Sequence, residues 1–176
     1  PNANAPEPSR SGEALFYCRV LTASHTIPTG GPGWHRIMRG KLNSFQKTML
    51  QWNHLHAYNA VHVVRMAGDL DLPRLSGLIN DFLAQRGLTH LTLDLQRNTF
   101  DYGGGSGELV VQVVTGGADP QATLAAEMER QLNTAFALSG DFNPFKFFVV
   151  PEAGSFLLGL VYFHAVADAE SIILLL

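Results

Sequence analysis

The run FLLGLVYF, residues 156–163, carries no charged and no amide side chain. A short, continuous apolar run of this kind reads as an internal strand buried on both faces. It follows PFKFFVV (144–150) and the turn-forming PEAGS (151–155), so the two apolar segments read as a hairpin. The strand reading carries on through His164 to Val166, and this raises the central question of the chain. A titratable imidazole leaves the core there, and an aspartate, Asp168, follows four residues later. Buried charge is costly, so these groups need a reason to be where they are.

The rest of the chain supplies material to pack around that strand. Asn43 followed by Gln46 is a capping-box pattern, and it opens a helix over 43–56 with Phe45, Met49 and Trp52 at helical spacing. Trp52 reads as a core residue. AVHVVRM (60–66) is a short β-branched strand. Asp71 and Pro73 open a second helix whose Leu72, Leu75, Ile79, Phe82 and Leu83 line one face, and Gly87 stops it. HLTLDLQ (90–96) alternates as a half-exposed strand. NTFDYGGGSGELVVQVV (98–114) reads as strand, glycine turn and strand, a second hairpin. Asp119-Pro120 starts a third helix with Leu124, Met128, Leu132 and Phe136 on one stripe and Gly140 at its end. A fourth helix begins near Ala169. TIPTGGPGWHRIMRG (26–40) reads as a loop, and residues 1–13 as a loose leader ahead of one domain over 14–176. The predicted class is α/β (α+β): a two-layer sandwich of helices on a mixed, largely antiparallel sheet. A dinucleotide-binding fold fits poorly, because strands and helices do not alternate strictly and no GxGxxG opens a helix.

Composition narrows the function classes. A chain of 176 residues that is 46% apolar can bury a real core. Its charged fraction is 15%, against about a quarter in a typical free-standing domain, which predicts surface packed against something else. The net charge of -3, with no basic stripe, gives nucleic-acid binding no electrostatic support. One cysteine, Cys18, rules out a disulfide within the chain and a CxxC metal site, and fits a reducing cytoplasm. The opening residues are polar and Pro-rich, without a signal-peptide pattern, and no run reaches the ~18 apolar residues of a membrane span. His54, His56 and His62 do not share a helix face, so they read as ordinary side chains and not as a metal site. The glycines at 103–107 lack a following GK[ST] and read as a turn.

Two readings of His164 and Asp168 follow from spacing. In one, the imidazole stands at a sheet margin as a general base, its ordinary pKa near about 6.5 suiting the role, with Asp168 orienting the loop or the ring. In the other, His164 is a satisfied strand-end histidine and Asp168 caps the last helix.

YFHAVADAES (162–171) resembles the HxxxD motif of the chloramphenicol-acetyltransferase-like superfamily, which includes the condensation domains of nonribosomal peptide synthetases. In that family's pattern, HHxxxDGxS, His164 matches the second His, Asp168 the Asp and Ser171 the Ser. Phe163 stands in place of the first His and Ala169 in place of the Gly. The helix, strand and helix from residue 43 to Gly87 are similar to the family's opening, so the resemblance runs from about 43 to the end. It implies a chloramphenicol-acetyltransferase-like N-terminal lobe, completed by a C-terminal lobe or a second chain that covers an exposed apolar face. It implies transfer of an acyl group from a thioester, on coenzyme A or a carrier-protein phosphopantetheine arm, to an amine or hydroxyl. His164 would act as the base. Asp168 would support the loop through an arginine, for which Arg65 and Arg97 are candidates. No permanently bound cofactor or metal is implied. The alternative is a degenerate, non-catalytic lobe of the same fold that serves as a binding or scaffolding module. A third reading is an unrelated α/β domain with an accidental HxxxD.

Overall fold

A computed structural model describes residues 38–105, 109–117, 119–167 and Ile172. Eight strands and three helices follow the order β1 (Met38–Lys41), α1 (Ser44–Trp52), β2 (Asn59–Ala67), α2 (Leu72–Arg86), β3 (Leu91–Asp94), β4 (Thr99–Tyr102), β5 (Val111–Val113), α3 (Pro120–Leu132), β6 (Asp141–Phe142), β7 (Phe145–Glu152) and β8 (Ser155–Phe163). The α+β class is as the sequence predicts. The strands divide between two four-stranded sheets, ordered β1-β4-β3-β6 and β2-β8-β7-β5. Every pairing is antiparallel except β5 with β7.

The apolar run occupies the interior of the second sheet. β8 lies between β2 and β7, and every residue from Phe156 to Phe163 is buried. Its side chains alternate between two cores, as strand geometry requires. Leu157, Val161 and Phe163 join a cluster with Met49 and Leu50 of α1, Leu91, Phe100 and Tyr102 of the first sheet, and Phe136. Phe156, Leu158, Leu160 and Tyr162 join another with Leu83 of α2, and Leu72, Leu75, Ile79 and Phe82 pack against it. The predicted apolar face of α2 is therefore the face that docks. Gly159 breaks the run for a packing reason: a Cβ there would stand 2.1 Å from the ring of Phe148, its cross-strand partner on β7. Gly40 opposite Phe100 repeats the device in the first sheet.

Four local expectations are corrected. First, 98–114 is not a hairpin. β4 pairs with β3 through the turn 95–98, where Asn98 adopts φ 55° and the Asp94 carboxylate accepts from the Arg97 N–H at 2.8 Å. That close partner takes β4, and the glycine segment carries the chain to the other sheet, where β5 runs parallel to β7. Ser106 and Gly107 of the glycine segment lie outside the described residues. Second, residues 38–40, read as loop, form the edge strand β1. Third, α1 ends at Trp52 and turns a different face inward. Gln46, Met49, Leu50 and Asn53 are buried, while Phe45 is 65% and Trp52 48% exposed. Two amides take inward positions because each finds a buried carbonyl, and the aromatics are left outside. Fourth, α3 ends at Leu132, which is exposed, and Phe136 reaches the core from the segment that follows.

Candidate functional site

The site begins where β8 runs out. The last pair of the β2–β8 ladder sets Asn59 opposite Phe163, and the His164 N–H then donates to Tyr58 O at 2.8 Å. Three further bonds shape residues 164–167. The Val166 N–H donates to Phe163 O at 3.0 Å. Gln46 Nε2 reaches from α1 to donate to Ala165 O at 2.9 Å. His164 Nδ1 lies 3.0 Å from Ala167 O.

The last of these settles the ring's proton. A carbonyl oxygen can only accept, so Nδ1 carries the hydrogen. In the neutral ring Nε2 is then the basic nitrogen. His164 is half-buried, and its ring meets the ring of the fully buried Tyr162 edge-on, at 6.1 Å and 75°. Tyr162 Oη in turn lies 3.3 Å from His62 Nε2, on the neighbouring strand β2. The arrangement can hold an imidazole in one tautomer at a sheet margin with Nε2 as its basic nitrogen, and a basic nitrogen is what proton abstraction requires.

No family model and no curated protein matches the sequence. Solved structures do match. The first condensation domain of the calcium-dependent antibiotic synthetase, in complex with a substrate analogue, aligns over 78% of this chain and 35% of its own, with a TM-score of 0.65 and 20% identity. Tallysomycin biosynthesis protein TlmII aligns over 78% and 36%, with a TM-score of 0.64 and 16% identity. The starter condensation domain of rhizomide synthetase RzmA aligns over 78% and 35%, with a TM-score of 0.61 and 16% identity. The chain has a condensation-domain fold. It spans about a third of the length of the solved structures it matches.

Within this condensation-domain fold the predicted site residues fare differently. His164 is at the strand end, as the sequence places it. Asp168 and Ser171 lie outside the described residues, as do Ala169 and most of the predicted fourth helix, although Ile172 is described and wholly buried in the second core. Phe163 points away from His164, into the first core, with its ring 5.8 Å from that of Phe136.

The two arginine candidates are engaged elsewhere. Arg65 pairs with Glu152 at 3.4 Å, six residues along β2 from Asn59, which is about 20 Å at the rise of a strand. Arg97 pairs with Asp94 at 3.7 Å in the turn of the first sheet. His54 and His56 are exposed beyond α1 and are separate from His62. Among the described residues, no three His, Cys, Asp or Glu side chains are grouped to hold a metal, and no helix is long and apolar enough to cross a membrane.

Sequence reasoning missed Gln46, Tyr162 and His62 as parts of the site. Only Gln46 left a local signal, through its capping box, and that signal concerns the helix. Two surface clefts, of about 320 and 190 Å³, open elsewhere. The larger is lined by Arg39, Asp101 and Arg97 of the first sheet and its turn, and His164 lines neither.

Proposed function

We propose that the chain is one lobe of a condensation-type acyltransferase with His164 as its general base. The observation that carries this reading is the Nδ1 hydrogen bond to Ala167 O, which leaves Nε2 basic. In the proposed step an amine or hydroxyl acceptor attacks the carbonyl carbon of an acyl thioester. His164 Nε2 takes the acceptor's proton as the new C–N or C–O bond forms. The C–S bond breaks, and the proton passes to the departing thiolate of coenzyme A or of a carrier-protein phosphopantetheine arm. Asp168 supports the loop in this reading, and Ser171 is its motif neighbour. A C-terminal lobe, or a second chain, supplies the rest of the cleft. The exposed Phe45, Trp52 and Leu55 are apolar surface available to such an association. A reducing cytoplasm suits the lone Cys18 and a thioester substrate.

A second reading, a non-catalytic binding or scaffolding lobe, is favoured by Arg65 and Arg97, the two candidate partners of Asp168, which pair with Glu152 and Asp94. His164→Ala separates the two. In the parent protein, with acyl-N-acetylcysteamine thioesters and small amines as probes, the base reading predicts a fall in transfer of about 10²–10⁴-fold. Transfer at the wild-type rate removes His164 from the role.

A further inference from the structure

We infer that Tyr162 is a positioning residue for His164, and that His62 anchors it. Tyr162 is 1% exposed, in a core otherwise made of Phe, Leu, Val and Ile side chains. Packing alone is served there by phenylalanine, since burying a hydroxyl costs free energy unless it is bonded. The hydroxyl is bonded: Oη and His62 Nε2 are 3.3 Å apart, and the two rings are 5.7 Å apart and tilted by 43°. His62 stands diagonally across the β2–β8 ladder, opposite Leu160, while Ala60 is opposite Tyr162. Diagonal neighbours on one sheet face are within reach of long side chains. The Tyr162 ring is thus held between two imidazoles, one on rigid strand β2 and one in the loop after β8.

His164 has two restraints as a result. The bond to Ala167 O fixes which nitrogen is protonated, and the edge contact with Tyr162 fixes the tilt of the ring plane. Side chains that orient a reacting group from rigid elements govern how well it meets its partner, and a displacement of 1 Å can cost about 10²-fold in rate. The significance of this orientation for catalysis rests on the reading of His164 as a base. The coupling of the three rings is a separate matter and has its own test.

The test is long-range ¹H–¹⁵N correlation spectroscopy on the full chain with labelled histidine, comparing wild type with Tyr162→Phe, His62→Gln and a control on the same strand face, Leu158→Val. In Tyr162→Phe the His62 nitrogen shifts report loss of its hydrogen bond. In both Tyr162→Phe and His62→Gln the released His164 ring tilts off the Ala167 carbonyl, and the ratio of its Nε2–H to Nδ1–H forms rises about fivefold, the scale of one net hydrogen bond. Leu158→Val leaves His164 as in wild type. His164 signals unchanged in both array variants, or changed equally in the control, overturn the positioning role. If the coupling is seen but His164→Ala transfers acyl groups at the wild-type rate, the three-ring array stands and the catalytic reading under it fails.

Discussion

Gln46 Nε2 donates to Ala165 O at 2.9 Å, and this bond ties the first turn of α1 to the loop that holds His164, across 119 residues of sequence. The same side chain closes the capping box. Its Oε1 accepts from the Asn43 N–H, and its own backbone N–H donates to Asn43 Oδ1, both at 2.9 Å. One amide therefore starts a helix and fixes the geometry of the candidate site.

Gln46→Ala removes both functions. Half of the capping box is lost, worth about 1 kcal/mol, and the carbonyl of the buried Ala165 loses its partner, worth about 1–3 kcal/mol. Urea unfolding should show a loss of about 2–4 kcal/mol. Amide exchange at Val166, inside the loop, should quicken by more than at Val161 in mid-strand. Equal quickening at both would mean that the bond does not hold the loop in particular.

Gly159→Ala tests the packing between the central strands. The added Cβ would lie 2.1 Å from the Phe148 ring, which is itself wholly buried. Overpacking of this kind costs about 1–3 kcal/mol. Pairing it with Phe148→Leu, which shortens the intruding ring, should cost less than the sum of the two single changes. Strict additivity in the double-mutant cycle would show that the two positions do not compete for the same space.

Acid stability should depend on Glu127. Burial alone would push its carboxyl up. The hydrogen bonds from Arg130 (2.6 and 2.8 Å) and Gln131 (2.7 Å), with the Arg130 charge, outweigh burial and hold it below the usual carboxylate range. A carboxyl whose pKa is lower folded than unfolded contributes stability above its unfolded pKa. That contribution is lost as the pH falls through the folded value. Glu127→Gln should flatten the decline in stability below about pH 4.5, the ordinary carboxylate value, and a thermal-melting series across pH 2–6 measures it. A decline as steep as in wild type would mean that other carboxyls carry the acid limb.

Exposure separates Trp52 from Leu83. Trp52→Ser, at a side chain 48% exposed, should change stability by no more than about 0.5 kcal/mol, whereas Leu83→Ala, at 1% exposed, should cost about 2–5 kcal/mol. Chemical denaturation of the two variants checks the contrast. A large loss for Trp52→Ser would return that ring to the core.

Much of the architecture was legible in local signals. Asp71, Pro73 and Gly87 bound α2 because a carboxylate can cap free N–H groups, a proline fits the first turn, and a glycine accepts the left-handed stop, here at φ 67°. The unbroken apolarity of 156–163 placed β8 inside a sheet, since only cover on both faces allows it. The same reading failed at α1, where it weighed side chains by apolarity. Gln46 and Asn53 take the buried face through bonds to Ala165 O and Phe136 O, which no local pattern announces. It failed at 98–114 for a related reason. Turn chemistry cannot say whether a strand will prefer a nearer partner, and β4 had one in β3.

At the site, the sequence by itself determined that an imidazole follows a buried strand, because the run ends at Phe163 and the next residue is His164. Tertiary structure alone decided what that imidazole can do. The Ala167 carbonyl sets its tautomer, Gln46 from α1 pins its loop, and Tyr162 with His62 on β2 fixes its plane. Apolar spacing encodes which segments are buried, because burial is non-directional and sums along a segment. Hydrogen bonds are directional and join atoms far apart in the chain, so they come into being only once the sheets have been assembled.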